Sequence, residues 1–241
     1  MEKQELSQKP LKRKWWFRLL KRLMRVRYKR PKFIYLGEEI TNGGVILSNH
    51  EGTDSPMCFE IYFNKRIRFW GTYQMNSGFI KMYKYQSRVY YHEKKHWSLF
   101  GARMFCLIAT PLTYLFYKGL NLISTYPDAR FTKTISESLE SIKSGDNIVI
   151  FPEKSPDGYQ DTLQGFYGGF ALFASACAKK GIDIPIFTSY YNKKKGVYMI
   201  DEPILYSTLV NQYPDREELS KALCERCNQL GVISNKEDFN V

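Results

Sequence analysis

Residues 45–56 read Val-Ile-Leu-Ser-Asn-His-Glu-Gly-Thr-Asp-Ser-Pro, an apolar run that passes directly into polar residues. The run predicts a buried strand, Val45–Asn49. His50 and Asp54 follow at its carboxyl end, where open α/β sheets place ligands and catalytic groups. They form a candidate acid–base pair, because an imidazole can accept a proton from a hydroxyl while a carboxylate stabilises the resulting cation. The alternative is structural: Asp54 or Ser55 caps the helix that follows.

The rest of the chain alternates between short apolar runs and helical patterns. Helical periodicity predicts one helix ending at Gly145, another ending at Gly181, and a third opened by a capping box of Asp215 and Glu218. The alternation predicts a single α/β domain over residues 33–241, with a mostly parallel or mixed sheet flanked by helices. Strands are predicted at Val45–Asn49, Ile67–Gly71, Asn147–Phe151, Ile184–Tyr191 and Gly196–Ile200.

The positive charge is concentrated at the amino terminus. Residues 1–32 hold thirteen of the 36 Lys and Arg residues but only two of the 24 Asp and Glu residues, whereas the formal net charge of the whole chain is +12. The body of the protein is therefore almost neutral, and residues 1–32 are predicted to form a separate basic arm.

Residues 11–32 of this arm predict an amphipathic helix that lies on a membrane surface. Apolar residues recur there at helical spacing, with basic residues on another face. Interfacial helices place aromatic rings at the headgroups, and each cation near anionic lipid contributes about 1 kcal/mol. Packing of the apolar stripe on the protein body is one alternative; binding of nucleic acid is another, less favoured because it does not need the stripe. The expected membrane contacts are Trp15, Trp16, Phe17, Arg18, Lys21, Arg22 and Arg25.

No apolar run reaches the roughly 18 residues that a membrane-spanning helix needs. The longest, Met104–Tyr117, lies in an aromatic insertion at about residues 83–128 and contains Pro111. We expect it to be a core segment or an element that dips into a membrane.

The cysteine and histidine patterns suggest metal sites only weakly. Five scattered cysteines without a signal peptide predict a reducing cytoplasm and ordinary buried thiols, although Cys224 and Cys227 have metal-ligand spacing. His92 and His96 bracket the His-Glu-x-x-His spelling of a zinc peptidase. The two lysines between them oppose a dication, so we expect a polar turn and no bound metal.

A second strand end carries polar residues that could meet His50. The strand Asn147–Phe151 leads into Pro152 and Glu153, then Lys154 and Ser155, before an apolar helix. Parallel strands of one sheet can direct two such ends into a single cleft.

Together these stretches resemble the glycerophospholipid acyltransferases related to 1-acylglycerol-3-phosphate acyltransferase. Asn49 and His50, with Asp54, are similar to the first motif of that family. Phe151–Glu153 is similar to the third motif, and Ile182–Ile186 to the fourth. The motifs fall in the family's order, and the resemblance covers roughly residues 31–205.

The resemblance implies transfer of a fatty acyl group from a coenzyme A or acyl carrier protein thioester to a hydroxyl of a lysophospholipid-like acceptor, as in phospholipid synthesis. No further cofactor and no nucleic acid are expected. With the basic arm, it implies a peripheral enzyme on the cytoplasmic face of a membrane. His50 would be the general base and Asp54 its partner, and the residues expected to bind substrate are Glu153, Lys154, Ser155 and Arg130.

The sequence also departs from the family pattern. Three residues separate His50 and Asp54 where the family has four, and Ser55 occupies the usual acidic position. The arginines that the family uses to hold the acceptor phosphate are absent, and Arg130 is the cation nearest to the second motif. A non-phosphorylated aminolipid or glycolipid acceptor is therefore an alternative, as is a membrane-binding protein of this fold that has lost catalysis.

Overall fold

The computed structural model describes residues 13–154 and 160–236. It confirms the predicted α/β fold, with a mixed, mostly parallel sheet flanked by helices. The strands are β1 (Lys32–Tyr35), β2 (Val45–Ser48), β3 (Ile67–Thr72), β4 (Ile123–Thr125), β5 (Asn147–Ile150), β6 (Pro185–Asn192), β7 (Val197–Ile200) and β8 (Ile204–Leu205). The α-helices are α1 (Trp15–Met24), α2 (Asp54–Tyr62), α3 (Phe79–Lys84), α4 (Leu99–Leu120), α5 (Phe131–Lys143), α6 (Gly169–Ala178), α7 (Tyr206–Gln212) and α8 (Arg216–Lys236). A 3₁₀ turn (Tyr73–Met75) follows β3, and a π-helix (Tyr85–Lys94) follows α3.

The strand order places β2 at the centre of the sheet. The order is β1-β7-β6-β2-β5-β3-β4, and β8 pairs with β6. The run from β6 to β4 is parallel, whereas β6 and β7 pair antiparallel. The carboxyl ends of β2, β3, β4, β5 and β6 therefore open at one edge of the sheet, which we call the reactive edge.

Side chains from the two faces of the sheet enter different cores. Ile46 and Val149 pack with the layer that contains Phe59 of α2. Leu47 and Ile150, one residue further along each strand, pack on the opposite side with α6 and α8. This follows from the alternation of side chains along a strand, and the result is a three-layer arrangement.

The predicted helix boundaries follow from local chemistry. Gly145 and Gly181 have φ angles of +80° and +74° after α5 and α6, a backbone conformation that glycine adopts without a Cβ penalty. Asp215 Oδ1 accepts hydrogen bonds from the main-chain N–H groups of Glu217 and Glu218 at 2.7 and 3.0 Å, which caps α8 and lowers the pKa of the Asp215 carboxyl.

The arm helix α1 packs against the body, and this corrects the expected role of Phe17. Its ring is fully buried and contacts Phe116 at a centroid distance of 5.4 Å. Arg13 and Lys21 both contact the buried carboxylate of Glu60, at 2.8 and 3.1 Å. Phe17 is therefore a core residue rather than a membrane contact, and Lys21 neutralises a buried acid.

The helix α4 corrects the expectation that no segment reaches membrane-spanning length. It has 22 residues and is long and apolar enough to cross a membrane. The helix extends the apolar run Met104–Tyr117 by five residues at its amino end and three at its carboxyl end. Its charged residues are Arg103 and Lys118. Only 22% of its most apolar window is buried in the protein, so α4 packs on the core along one side and is exposed along the other.

Candidate active site at the reactive edge

The structure brings the two strand-end motifs together. β2 and β5 are parallel neighbours, with Leu47 opposite Ile150. The main-chain N–H of His50 donates to Glu153 Oε2 at 3.1 Å, and the His50 ring lies 5.0 Å from the Phe151 ring. The residues that follow the two strands thus form one cluster around His50.

Glu153 braces the backbone of this cluster. Its burial raises the pKa of the carboxyl, while hydrogen bonds from the main chain of His50 and Gln160 act in the opposite direction. Its segment is held in place by Lys154 N–H, which donates to the Gly165 carbonyl at 2.8 Å. The expected substrate-binding residue Glu153 therefore contacts the protein's own main chain and fixes the position of His50.

Asn49 ties the same cluster to β6, a role that the sequence reasoning missed. Asn49 Oδ1 accepts from Tyr191 N–H at 2.7 Å, and Asn49 Nδ2 donates to the Tyr191 carbonyl at 3.1 Å. The side chain thereby continues strand pairing one residue past β2. The signal in the sequence was an asparagine directly after an apolar run, because an amide that becomes buried there needs hydrogen-bond partners.

A tight turn leads from His50 into α2. Glu51 and Gly52 have φ angles of +41° and +65°, so the chain reverses within two residues. The helix begins at Asp54 with Thr53 in the preceding cap position. The alternative in which Asp54 or Ser55 is the cap residue is therefore wrong by one or two positions, and Asp54 belongs to the first helical turn.

The structure separates the roles of Asp54 and Ser55. Ser55 is fully buried, and its hydroxyl accepts from Tyr198 Oη at 2.8 Å. The Asp54 carboxylate instead contacts basic side chains and makes no such contact with Tyr198 among the described hydrogen bonds. Ser55 occupies the position that is acidic in the family, but its side chain points into the core.

Two cations contact the Asp54 carboxylate. Lys193 Nζ, in the turn after β6, lies 2.8 Å from Asp54 Oδ2, and Arg27 Nη1 lies 3.9 Å from Oδ1. The hydrogen bond with Asp54 raises the pKa of Lys193. Sequence reasoning missed Lys193, since a lysine in a polar turn carries no pattern of its own.

A cavity of about 340 Å³ extends from His50 between β3, the π-helix and α4. At about 30 Å³ for each water-sized group, it has room for roughly ten such groups. Its largely apolar and aromatic lining suits an alkyl chain better than a polar head. Burial raises the pKa of the hydroxyls of Tyr85, Tyr90 and Tyr91, so these groups are neutral at physiological pH. Apolar or aromatic lining residues include Met57, Phe69, Tyr85, Tyr90, Tyr91, Phe116, Tyr117, Leu120, Leu122 and Phe151.

Arg130 lies after β4, at the reactive edge but outside the cavity lining. Its guanidinium pairs with Asp128 at 2.7 Å and stacks on Tyr73 and Tyr126, with centroid distances of 5.0 and 4.7 Å. The hydrogen bonds from Arg130 lower the pKa of Asp128 to about 2. The cation expected to bind phosphate is therefore already paired with a carboxylate.

Another expected substrate contact, Lys154, lines a different cavity from the one that begins at His50. The Lys154 amine lies over the Tyr167 ring at 5.6 Å, beside a second cavity of about 740 Å³ that is also lined by Arg216 and Glu217. Ser155 lies outside the described residues.

The possible metal motifs do not form clusters. His92 is exposed in the π-helix and its Nδ1 lies 2.7 Å from the Trp97 carbonyl, whereas His96 lies past the helix end with φ +56°. Across residues 13–154 and 160–236, no group of three His, Cys, Asp or Glu side chains is placed to hold a metal ion. The prediction of buried thiols is confirmed, because all five cysteines are buried and none forms a disulfide.

Comparison of the sequence with models of protein families and with curated proteins found no match to either.

Proposed function

We propose that this protein is a membrane-associated acyltransferase that moves a fatty acyl group from a coenzyme A or acyl carrier protein thioester to a hydroxyl of a lysophospholipid-like acceptor. The observation that carries the proposal is the position of His50, at the reactive edge and at the start of an apolar cavity. The order of the motifs, which resembles that of the glycerophospholipid acyltransferases, supports it further.

In this mechanism the imidazole of His50 takes the proton of the acceptor hydroxyl as its oxygen attacks the thioester carbonyl. The tetrahedral intermediate collapses, the carbon–sulfur bond breaks, and the leaving thiolate receives the proton from the imidazolium. No acyl-enzyme is formed. Asp54 is the carboxylate that stabilises the imidazolium. The cavity holds the acyl chain, and Glu153 keeps the backbone of His50 in place.

The exposed side of α1 supports peripheral attachment to the cytoplasmic face of a membrane. Trp15, Leu19 and Leu23 are exposed, and so are Arg18 and Arg22. An interfacial helix places apolar side chains and cations of this kind at the headgroup boundary. The membrane would then supply the lipid acceptor.

A non-phosphorylated acceptor is the second candidate for the substrate. The observation in its favour is the ion pair of Arg130 with Asp128, which occupies the cation expected to hold a phosphate. An aminolipid or glycolipid hydroxyl would not need that cation.

The test is a transfer assay with the full-length protein and vesicles. Labelled acyl-coenzyme A or acyl carrier protein is offered with a panel of lysophospholipids, aminolipids and glycolipids. We expect transfer by the wild type, loss of transfer in His50→Ala, and retained transfer in the control His92→Ala, which alters an exposed histidine. Absence of transfer to every acceptor, or full activity of His50→Ala, contradicts the proposal.

A further inference from the structure

The outward side of α4 carries a continuous row of exposed apolar side chains. Phe100 and Ile108 are 77% and 79% exposed, although both are large hydrophobic residues. From Phe100 to Leu115 the exposed apolar residues recur at roughly helical spacing, so these side chains share one face. We call the following six residues the α4 outer face: Phe100, Met104, Leu107, Ile108, Leu112 and Leu115.

The neighbouring helix α3 widens this apolar surface. Phe79 and Ile80 are exposed, and the Phe79 ring packs edge-on against Tyr114 of α4 at 5.9 Å. Monomeric soluble proteins rarely expose apolar patches of more than a few hundred Å², and larger patches mark sites of contact with proteins or membranes.

The opposite side of α4 is built into the protein. Ala102 and Cys106 are fully buried, and the buried Thr110 hydroxyl donates to Gln86 Oε1 at 2.9 Å. Phe116 and Tyr117 on the same helix line the cavity that begins at His50. The helix therefore separates the cavity from the α4 outer face by its own diameter of about 10 Å.

The charges around the outer face match an anionic lipid surface. Arg103 and Lys118 are exposed on α4 itself, and both side chains can reach headgroups while their stems remain beside apolar chains. The cationic helix α1 packs against the carboxyl end of α4, where the buried Phe17 ring lies directly over Gly119. Apolar residues flanked by cations are typical of in-plane membrane elements.

We propose that the α4 outer face inserts into one leaflet of an anionic bilayer, with α4 parallel to the membrane plane and the His50 cavity directly beneath it. A spanning orientation would strip Cys106 and Thr110 from their buried contacts, whereas the parallel orientation preserves them. The inference rests on the proposed function for the identity of the cavity's ligand, but insertion itself is measured without turnover.

The first experiment measures binding of the full-length chain to vesicles of phosphatidylcholine and phosphatidylglycerol by sedimentation. We expect the double substitution Ile108→Glu, Leu112→Glu to weaken binding at least tenfold, because charged side chains enter the hydrocarbon region unfavourably. Val232→Glu, at an exposed apolar position of α8, is the matched control and should bind as the wild type does. Unchanged binding of the double variant overturns the proposal.

A second experiment locates the inserted face. All five native cysteines are buried, so a cysteine added by Ile108→Cys can be labelled selectively with an environment-sensitive fluorophore. Its emission should shift to the blue on addition of vesicles, whereas the label in Val232→Cys should not shift. No shift at position 108 overturns insertion. A second copy of the chain could cover this face instead. In that case the double glutamate variant would convert a dimer to a monomer in sedimentation velocity while vesicle binding stays unchanged, and this result would also overturn the proposal.

The two proposals fail separately. If position 108 inserts but no acceptor is acylated, the proposed function is wrong and the membrane surface stands. If acyl transfer is found but position 108 stays in water, the enzyme reaches its lipid by another surface. His50→Ala should insert as the wild type does, because it changes no residue of the α4 outer face.

Discussion

Lys193 Nζ lies 2.8 Å from Asp54 Oδ2, so a cation in the turn after β6 engages the carboxylate that the family resemblance assigns to His50. Both residues lie at the reactive edge, next to the strand end that carries the candidate base. Under the proposed function, an anionic acceptor bound there would compete with Asp54 for Lys193. Lys193 is thus placed to contact an anionic headgroup.

We expect Lys193→Met to raise KM for a phosphate-bearing acceptor by roughly tenfold, because a charge-assisted contact is lost. The KM for a neutral acceptor should change much less, since such an acceptor offers no anion to Lys193. Steady-state kinetics with the two acceptors measure this difference. The control is Lys194→Met, which removes an amine paired with Asp161 at 3.1 Å. Equal KM values for the phosphate-bearing acceptor in Lys193→Met and the wild type would rule out contact between Lys193 and the headgroup.

Substitutions at Asp54 and Ser55 decide which residue assists His50. We expect Asp54→Asn to lower kcat by about 10²- to 10⁴-fold, the range typical of a lost acid–base contribution. Ser55→Ala should retain most activity, because its hydroxyl accepts from Tyr198 in the core. It should reduce the free energy of unfolding by about 1 kcal/mol, which denaturant titration measures. A larger kcat loss in Ser55→Ala than in Asp54→Asn would reverse the assignment.

The contact between Phe17 and Gly119 should control docking of the arm. A Cβ atom at Gly119 would clash with the Phe17 ring, so Gly119→Ala forces α1 or α4 to move. We expect a loss of about 1–3 kcal/mol in unfolding free energy and faster trypsin cleavage within α1. In the double variant Phe17→Ala, Gly119→Ala the clash is absent, so its loss should be smaller than the sum of the two single losses. Additive losses would show that the two residues are not coupled.

Glu153 should make stability depend on pH. Burial raises its pKa in the folded protein, so the folded state binds more protons than the unfolded state between the two pKa values. Wild-type stability therefore falls as pH rises through this window, starting near the ordinary glutamate pKa of about 4.3. Glu153→Gln lacks the titration, and its stability relative to the wild type should increase with pH in chemical denaturation at pH 4 to 7. A relative stability that decreases with pH would contradict this sign.

The cavity makes a prediction about chain length. Thr113 lines it from α4 and is half-buried. Thr113→Phe adds a ring to the cavity, so we expect the preferred acyl donor to become shorter by several carbons, with kcat/KM for long chains reduced about tenfold or more. Competition assays with donors of graded length measure the shift. Thr132→Phe, at an exposed position of α5, should leave the preference unchanged.

Much of the fold was predictable because its signals are local. The central strands β2, β5 and β6 are apolar runs, and the ends of α5 and α6 carry glycines with positive φ. The short strands β4 and β8 have three and two residues, too few for a periodic pattern. The amphipathic helix in the arm was also predictable, but the identity of the surface that covers each side of it was not.

Periodicity shows that a helix has an apolar side without showing whether protein or lipid covers it. Phe17 and Ile108 illustrate the difference: both are large apolar residues on helices, yet one is fully buried and the other is 79% exposed. Only the packing of α1 and α4 on the sheet decides this, because it depends on contacts between distant segments.

The sequence by itself determined the α/β alternation and the two polar strand ends, His50 with Asp54 and Glu153 with its neighbours. The tertiary structure alone decided that the main chain of His50 meets Glu153 and that Asp54 faces Lys193. The physical reason is that strand patterns arise from neighbouring residues along the chain, whereas these contacts arise where parallel strands end at the same edge of the sheet.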